Sequence, residues 1–240
     1  MRLFKKNKKP KHELQRLDLD APADDTNRGL DRGARQVINL LNYTKTSGSA
    51  YDGVRYDVGY HSLSLGDQKF QGQRDPEQRF SSVPYDFTGK TVLDFGCNQG
   101  GMVMHHADKL RWGMGVDYDS RMVNVANKLS AYKGLDNTHF YVFNLEEEPL
   151  DLIRDLVPDE QVDICFLLSV CMWIENWRDV IKFCRGLAPA MMFESNGSVE
   201  QQQEQIDQLH ALYDNVELCA ATSEDDPKQK KRQLLLCQST

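Results

Sequence analysis

The feature that most constrains this chain is a regular alternation of short β-rich runs with longer helical runs, which begins at Thr91. The β-rich runs end in polar residues or glycine, a pattern typical of βαβ units and a parallel sheet. We therefore predict an α/β, doubly wound, mostly parallel sheet of seven strands. The predicted strands are 91–95, 113–117, 139–144, 162–168, 190–194, 216–221 and 233–238, and the predicted helices are 101–110, 120–131, 173–187 and 200–213.

The two ends of the predicted sheet domain differ from this pattern. The last two strands are joined by the polar segment 222–232, which is too short and too charged for a crossover helix, so we expect an antiparallel pair. Before the sheet, residues 29–86 are predicted to form a small N-terminal lid. It contains one helix that starts near Leu30 and ends near Ser47-Gly48, and two short strands around Gly66-Asp67. Residues 87–240 form the predicted main domain.

Charge is distributed unevenly along the chain. Seven basic residues and one acid lie between Met1 and Arg16, so this arm is basic although the whole chain has a net charge of -7. Residues 1–28 have no amphipathic period and are predicted to be a flexible basic arm. No apolar run follows the charges as in a secretion signal, so a cytoplasmic location is expected. The arm is interpreted as a solvated terminus or as a contact for anionic membrane lipid or RNA.

Composition excludes several classes of protein. Hydrophobic residues make up 40% of the chain and charged residues 27%, which is typical of a globular protein rather than a disordered one. The longest apolar runs are far shorter than the ~18 residues that a membrane-spanning helix needs. The six cysteines lie in apolar segments without metal-ligand spacing, so free thiols and no metal site are expected.

The segment 92–101 places a buried strand directly before glycines that open a helix, which indicates a turn that binds a nucleotide-type cofactor. Gly96 and Gly100 allow unusual backbone dihedrals or a close approach to a ligand. Asn98 stands where a dinucleotide motif has its second glycine, which weakens dinucleotide binding. The Asp94 carboxylate suits a cofactor with an ammonium group and would repel a pyrophosphate.

This turn resembles the first motif of class I S-adenosylmethionine-dependent methyltransferases, which have a Rossmann-like fold. The segment 113–119 resembles the second strand of that family, and the resemblance implies that Asp117 binds the two ribose hydroxyls of the cofactor. The third strand ends at 141–146, where the family commonly has an acid that bonds the adenine amino group. Asn144 occupies that place and also carries an oxygen acceptor.

The loop 167–173 after the fourth strand matches the family segment that lies under the cofactor sulfonium and lines the acceptor pocket. The resemblance covers about 87–240 and implies S-adenosylmethionine as the cofactor. The implied cofactor-binding residues are Asp94, Gly96, Asn98, Gly100, Asp117, Tyr118, Asn144, Leu145 and Ser169, with Arg74 from the lid. The lid segments 51–56 and 72–76 more faintly resemble bacterial methyltransferases related to the tRNA wobble-uridine carboxymethyl-transfer enzyme.

Candidates for catalysis and acceptor binding come from the lid and from the strand ends. His61 is a candidate base for a hydroxyl acceptor, and its alternative role is a hydrogen-bonded strand histidine. Arg74 is a candidate clamp for the cofactor carboxylate or an acidic acceptor, and its alternative is a solvated surface position. Tyr60, Trp173 and Glu194 are candidate acceptor-binding residues, although Trp173 is equally well explained as part of the core.

The predicted function is transfer of a methyl group from S-adenosylmethionine to an oxygen of a small molecule or glycan intermediate, by in-line displacement. An RNA acceptor, such as tRNA, is the main variant, with Lys231 and Arg232 among the possible phosphate contacts, although the acidic body disfavours it. Two alternatives from other classes are an NAD-dependent oxidoreductase and a non-catalytic module that binds the cofactor. The sequence does not specify the oligomeric state.

Overall fold

A computed structural model describes residues 16–24, 29–44, 59–223 and 231–239. The strands are β1 (Leu63–Leu65), β2 (Gln68–Phe70), β3 (Thr91–Phe95), β4 (Trp112–Asp117), β5 (Thr138–Val142), β6 (Ile164–Leu168), β7 (Ala190–Glu194), β8 (Asn215–Ala220) and β9 (Leu234–Gln238). Seven of them form one sheet in the order β5-β4-β3-β6-β7-β9-β8. The first five are parallel, and β9 is antiparallel to both β7 and β8. The predicted seven-stranded fold with an antiparallel closing pair is confirmed.

The helices lie close to their predicted positions, with two differences. They are α1 (Arg32–Thr44), α2 (Pro76–Phe80), α3 (Gly101–His105), α4 (Ser120–Lys133), α5 (Trp177–Leu187) and α6 (Val199–Leu212). Helix α3 ends five residues earlier than predicted, because the Asn137 side chain bonds the carbonyls of Ala107 and Leu110 in the turn before β4. Helix α5 begins later than predicted, because 171–173 form a separate 3-10 turn. Among the described residues, no helix is long and apolar enough to span a bilayer.

Helices cover both faces of the sheet because successive strand residues point to opposite sides. Leu93 and Phe95 of β3 belong to a buried cluster that includes residues of α5 and α6. Val92, which directly precedes Leu93, belongs to the opposite cluster with residues of α3 and α4. All five β3 side chains are buried. Because helices cover both faces of the sheet, the ends of the strands remain available to form a site.

The lid packs on the α4 side of the sheet. Helix α1 contacts α4, and the antiparallel hairpin β1–β2 joins the same apolar cluster. The segment 16–24, which the sequence assigns to the flexible arm, instead contacts α1. Leu17 and Asn39 exchange two hydrogen bonds of 2.7 and 2.8 Å. The rest of the predicted arm (1–15 and 25–28) and the lid segment 51–56 lie outside the described residues.

Candidate active site

The order of the strands places a crevice at one point of the sheet. Strands β3, β4 and β5 run in one direction across the sheet, while β6 and β7 continue from β3 in the other. In open α/β sheets, ligands bind outside the carboxyl ends of the strands where the order reverses. Here that point lies between β3 and β6. The loops that follow them, 96–100 and 169–173, therefore flank the candidate site.

The glycine turn after β3 depends on left-handed backbone conformations. Gly96, Asn98 and Gly100 have φ angles of 75°, 48° and 71°, and asparagine is among the few other residues that tolerate this region. A Cβ atom at Gly96 would lie 2.7 Å from Val170 Cγ2, and one at Gly100 would lie 2.5 Å from Phe140 Cε1. The sequence predicts unusual dihedrals at Gly96 and Gly100 but not at Asn98. Close packing against Val170 and Phe140, which are distant in the sequence, also requires glycine at Gly96 and Gly100.

Asp117, at the end of β4, holds this turn in place. Its Oδ2 accepts a hydrogen bond from the Asn98 backbone N–H at 2.9 Å, and its Oδ1 accepts one from the Asp119 N–H at 2.9 Å. Burial raises the pKa of the Asp117 carboxyl, while the two backbone hydrogen bonds oppose that shift. Each carboxylate oxygen has a second lone pair. Asp117 can therefore support the turn and still accept hydrogen bonds from a diol.

Asp94 supplies the observation that best tests which cofactor fits. The side chain is only 2% exposed, and its Oδ2 has no hydrogen-bond partner among the described residues. Burial, followed by the neighbouring Asp117 charge, raises the pKa of Asp94 well above its ordinary value, although Arg79 opposes the shift. A buried acid without a partner is costly unless a cation or donor binds it. The ammonium group of an amino-acid-bearing cofactor meets that requirement.

Asn144 and its neighbours follow β5 at the other end of the crevice. The Asn144 Oδ1 accepts a hydrogen bond from the Glu146 N–H at 3.0 Å, and the Asn144 N–H donates to Glu148 Oε1 at 2.7 Å. Tyr118 is 75% exposed beside the crevice, whereas the Leu145 side chain is buried. The exposed ring and the half-buried amide can contact a flat base, as the sequence predicts for Tyr118 and Asn144.

The lid is fastened to the glycine turn through His61. The His61 backbone N–H donates to Gln99 Oε1 at 3.0 Å, and the His61 Nδ1 accepts from the Gly101 N–H at 3.2 Å. Burial, with Arg79 and Arg74 nearby, lowers the pKa of His61 to about 3. The ring is therefore neutral at pH 7 with its proton on Nε2. This geometry favours a positioning role over the candidate role as a base. Tyr60 packs edge-on against the ring at 4.6 Å.

Glu194, at the end of β7, is surrounded by cations rather than facing the crevice. Its Oε1 accepts from Arg79 Nη2 at 2.6 Å and from Ser223 Oγ at 2.9 Å. Arg74 Nη2 and Arg232 Nη1 lie 3.6 and 3.7 Å from its Oε2. We refer to Arg74, Arg79, Arg232 and Glu194 as the arginine cluster. Arg74 is 1% exposed, so the solvated surface position considered for it is wrong.

The arginine cluster reaches the loop after β6 through Ser169. The Ser169 Oγ donates to Glu194 Oε2 and accepts from Arg232 Nη1 at 2.9 Å. The Ser169 carbonyl accepts from Asn196 Nδ2 at 2.5 Å. These contacts hold Ser169 at a φ of 63°, a conformation that few residues other than glycine adopt. The loop that is predicted to lie beneath the cofactor is thus held in place by hydrogen bonds to Glu194, Arg232 and Asn196.

Trp173 lies in the same loop but outside the core, because 66% of its side chain is exposed. It borders a groove of about 640 Å³ between this loop and α6. Carboxylates and amides line much of the groove, namely Glu146, Glu175, Gln201, Glu204 and Gln205. The alternative that Trp173 belongs to the core is wrong, since the 3-10 turn at 171–173 turns it outward. Trp177 packs at half-burial under the Arg178 guanidinium, which lies 4.1 Å from the ring centre.

Residues 86–236 match the family model described as Methyltransferase domain. The chain belongs to this family. The match covers more than half of the chain and includes every strand of the main sheet up to residue 236 of β9. A methyltransferase domain thus accounts for the glycine turn, the acid at the end of β4 and the antiparallel closing pair together. No curated protein matches the sequence of this chain.

Solved structures share the fold of this methyltransferase domain at low sequence identity. The bifunctional kinase-methyltransferase WbdD has a TM-score of 0.53 and 17% identity, over 70% of this chain and 40% of WbdD. The N-terminal domain of EvdMO1, solved with SAH bound, has a TM-score of 0.54 and 10% identity, over 69% of this chain and 82% of that domain. A structure of the same domain in the presence of SAH and D-fucose has a TM-score of 0.58 and 9% identity, over 75% of this chain and 90% of that domain. This chain spans less than half of WbdD.

Sequence reasoning missed three contributors to the methyltransferase site. Gln99 lies within the glycine turn, so its place beside the crevice could have been found, although its bond to the lid could not. Arg79 and Ser223 follow no motif, and only the folded chain brings them to Glu194. Arg232, considered as an RNA phosphate contact, is 6% exposed and belongs to the arginine cluster.

Proposed function

We propose that this methyltransferase domain binds S-adenosylmethionine and transfers its methyl group to an oxygen of a small molecule or glycan intermediate. The observation that carries the cofactor assignment is the buried Asp94 carboxyl, whose Oδ2 has no partner among the described residues. The observation that carries the acceptor assignment is the exposed Trp173 beside a groove lined by carboxylates and amides. The EvdMO1 domain solved with SAH and D-fucose shares this fold and supports the proposal.

Five of the predicted cofactor residues have a specific task in this proposal. Asp94 would hold the ammonium group, and Asp117 would accept hydrogen bonds from the ribose hydroxyls. Asn144, with Leu145 and Tyr118, would bind the adenine. When bound, S-adenosylmethionine supplies an electrophilic methyl group on a sulfonium. Because an in-line displacement needs alignment and exclusion of water, the protein's main contribution is to position the two reactants.

The loop after β6 would set that alignment. Ser169 is held on three sides by Glu194, Arg232 and Asn196, so the backbone beneath the reaction centre has little freedom. His61 orients the first turn of α3 through the Gly101 N–H rather than removing a proton. While its Nδ1 accepts from Gly101, the neutral His61 ring can still donate one hydrogen bond from its Nε2–H.

A sugar acceptor fits the groove beside Trp173. Aromatic rings provide a large apolar contact surface, and sugars offer an apolar ring face of matching size. The carboxylates Glu146 and Glu175 and the amide of Gln201 can bond sugar hydroxyls around that ring. An RNA acceptor receives no comparable support, because Arg232 is buried against Glu194 and the groove carries acids that would repel phosphates.

The proposal is tested by incubating the protein with S-adenosylmethionine labelled on the methyl group and a panel of glycans, small hydroxyl compounds and total RNA. We expect label on an ether oxygen of a glycan or small molecule, with loss of transfer in Trp173→Ala. Trp112→Ala is a control tryptophan variant, since Trp112 lies at the start of β4, at the opposite edge of the sheet. Label on RNA alone would contradict the acceptor assignment.

A further inference from the structure

A cavity of about 330 Å³ lies on the lid side of the site, separate from the groove beside Trp173. It is bordered by α2 and the turn after it, by the end of β7, and by the end of β8 with the residues 221–223 that follow. Four hydroxyl side chains, one guanidinium, one amide and one carboxylate line it, from Ser81, Ser82, Thr222, Ser223, Arg79, Gln78 and Glu194. We propose that this cavity binds an oxyanion of the acceptor, a phosphate or carboxylate group. The inference rests on the proposed function and specifies its substrate class.

The chemistry of the lining matches an oxyanion. A guanidinium presents five N–H donors in a planar fork that fits carboxylate and phosphate oxygens. Hydroxyls add donors whose direction adjusts to the ligand. Among the described residues that line the cavity there is no aromatic ring, and its apolar part consists of Ala220, Ala221 and Leu234. The cavity therefore suits a small charged group better than a sugar ring, which the groove beside Trp173 accommodates.

Arg79 and Glu194 of the arginine cluster line the cavity, and the cluster has a net positive charge because three guanidinium groups surround one carboxylate. Three guanidinium groups lie within 4 Å of the single Glu194 carboxylate, at 2.6, 3.6 and 3.7 Å. All three arginines also make other contacts, so an incoming oxyanion would share their donors rather than fill an empty site. Two of them, Arg79 and Arg74, also lower the pKa of His61. Arg79 and Arg74 therefore act on a residue that is hydrogen-bonded to Gly101 at the end of the glycine turn.

The position of the cavity links it to the acceptor rather than to the cofactor. Its lining residues come from α2 and from β7 to β9, and none comes from the glycine turn at 96–101. Glu194, however, is bonded to Ser169 in the loop that the proposal places beneath the reaction centre. A charged acceptor could therefore anchor its oxyanion in the cavity while its hydroxyl reaches the methyl group. Such remote binding energy aligns the reacting atoms.

The test measures oxyanion binding without turnover. Sodium phosphate and, separately, sodium acetate are titrated into the protein at constant ionic strength, which sodium chloride maintains, and the unfolding temperature is recorded. A ligand that binds the folded state raises this temperature in a saturable way. Tighter binding of phosphate would assign a phosphorylated acceptor, and tighter binding of acetate would assign a carboxylated one. The same proteins are titrated with SAH.

The deciding variant is Ser82→Asp, which adds a negative charge at an exposed turn position on the cavity rim. We expect this substitution to weaken oxyanion binding about tenfold, because the introduced carboxylate would repel the oxyanion through partly solvated surroundings. SAH binding should be unchanged. The matched control Asn124→Asp adds the same charge at an exposed position on α4 and should bind both ligands as the original protein does.

Four results would overturn the inference or separate it from the proposed function. Equal effects of phosphate, acetate and chloride would overturn it, as would equal oxyanion binding by Ser82→Asp and the original protein. Loss of SAH binding in Ser82→Asp would indicate that the cavity binds the carboxylate of the cofactor and not an oxyanion of the acceptor, and would also overturn the inference. If the original protein bound phosphate but not SAH, the proposed function would fail while the oxyanion site stood.

Discussion

The substitution Asp94→Asn should raise the free energy of unfolding of the protein without cofactor and lower its affinity for the cofactor. Asparagine has nearly the same shape as aspartate but cannot ionise. Asp94 is 2% exposed and its Oδ2 has no partner among the described residues, so ionisation at this site costs free energy when no cation is bound. Burial, reinforced by Asp117, accordingly raises its pKa well above the ordinary 3.8.

The size and the sign of the stability effect follow from proton linkage. When the folded-state pKa exceeds the unfolded one, the contribution to stability is fully present below the unfolded pKa, here 3.8. Above that pH, the free energy of unfolding falls by ~1.4 kcal/mol per pH unit until the pH passes the folded-state pKa. Asp94→Asn abolishes this loss. Its advantage over the original protein should therefore grow as pH rises from about 4.

Urea denaturation of both proteins between pH 4 and pH 8 measures this difference, and the titrating groups that do not interact with Asp94 cancel in the comparison. With saturating SAH the advantage of Asp94→Asn should shrink, because the variant lacks a charge-assisted hydrogen bond to the cofactor worth ~1.5–3 kcal/mol. A constant stability difference at every pH would refute the raised pKa of Asp94, and unchanged SAH affinity of Asp94→Asn would refute its assignment to the cofactor ammonium.

Three further predictions concern the lid, the acceptor groove and pH. Gly101→Ala should destabilise the protein by ~1–3 kcal/mol in thermal unfolding, because its Cβ would lie 2.5 Å from the His61 ring. Gly186→Ala, which meets only Arg154 Nη2 at an ordinary 3.6 Å, should be neutral or stabilising. Trp173→Ala should raise KM for the acceptor at least tenfold and leave SAH affinity unchanged in calorimetry; equal effects on both would contradict its place in the acceptor groove. The pKa of His61 is about 3, so His61 should not titrate between pH 5 and pH 8. The pH profiles of the methyl-transfer rate should therefore have the same shape in the original protein and in His61→Gln. An inflection in this range that disappears in His61→Gln would show that the histidine acts as a base.

Local patterns were enough to predict the sheet and the turn after β3. Alternation of β-rich and helical runs predicts a doubly wound parallel sheet through general rules of connection, while the order of its strands comes from the structure. Positive φ at Gly96 and Gly100 follows from a strand that must turn sharply into a helix. The strand ends were predicted within two residues, because buried runs stop where polar residues begin.

The contacts that shape the site were out of reach of local patterns. Arg74 and Glu194 are far apart in the chain and meet only because the lid folds over the ends of β6 and β7. The neutral state of His61 depends on burial and on arginines that no motif marks. The outward position of Trp173 depends on a 3-10 turn in a loop that periodicity reads as helix. Long-range packing decides each of these features.

Calorimetric titration with SAH, compared between the original protein and Asp117→Ala, tests the central claim most directly. Asp136→Ala is the control, since this exposed aspartate precedes β5 at the opposite edge of the sheet. We predict micromolar binding by the original protein and the control, and a loss of ~2–4 kcal/mol in Asp117→Ala from the ribose hydrogen bonds. Equal binding by all three proteins, or binding of NAD in place of SAH, would contradict the account.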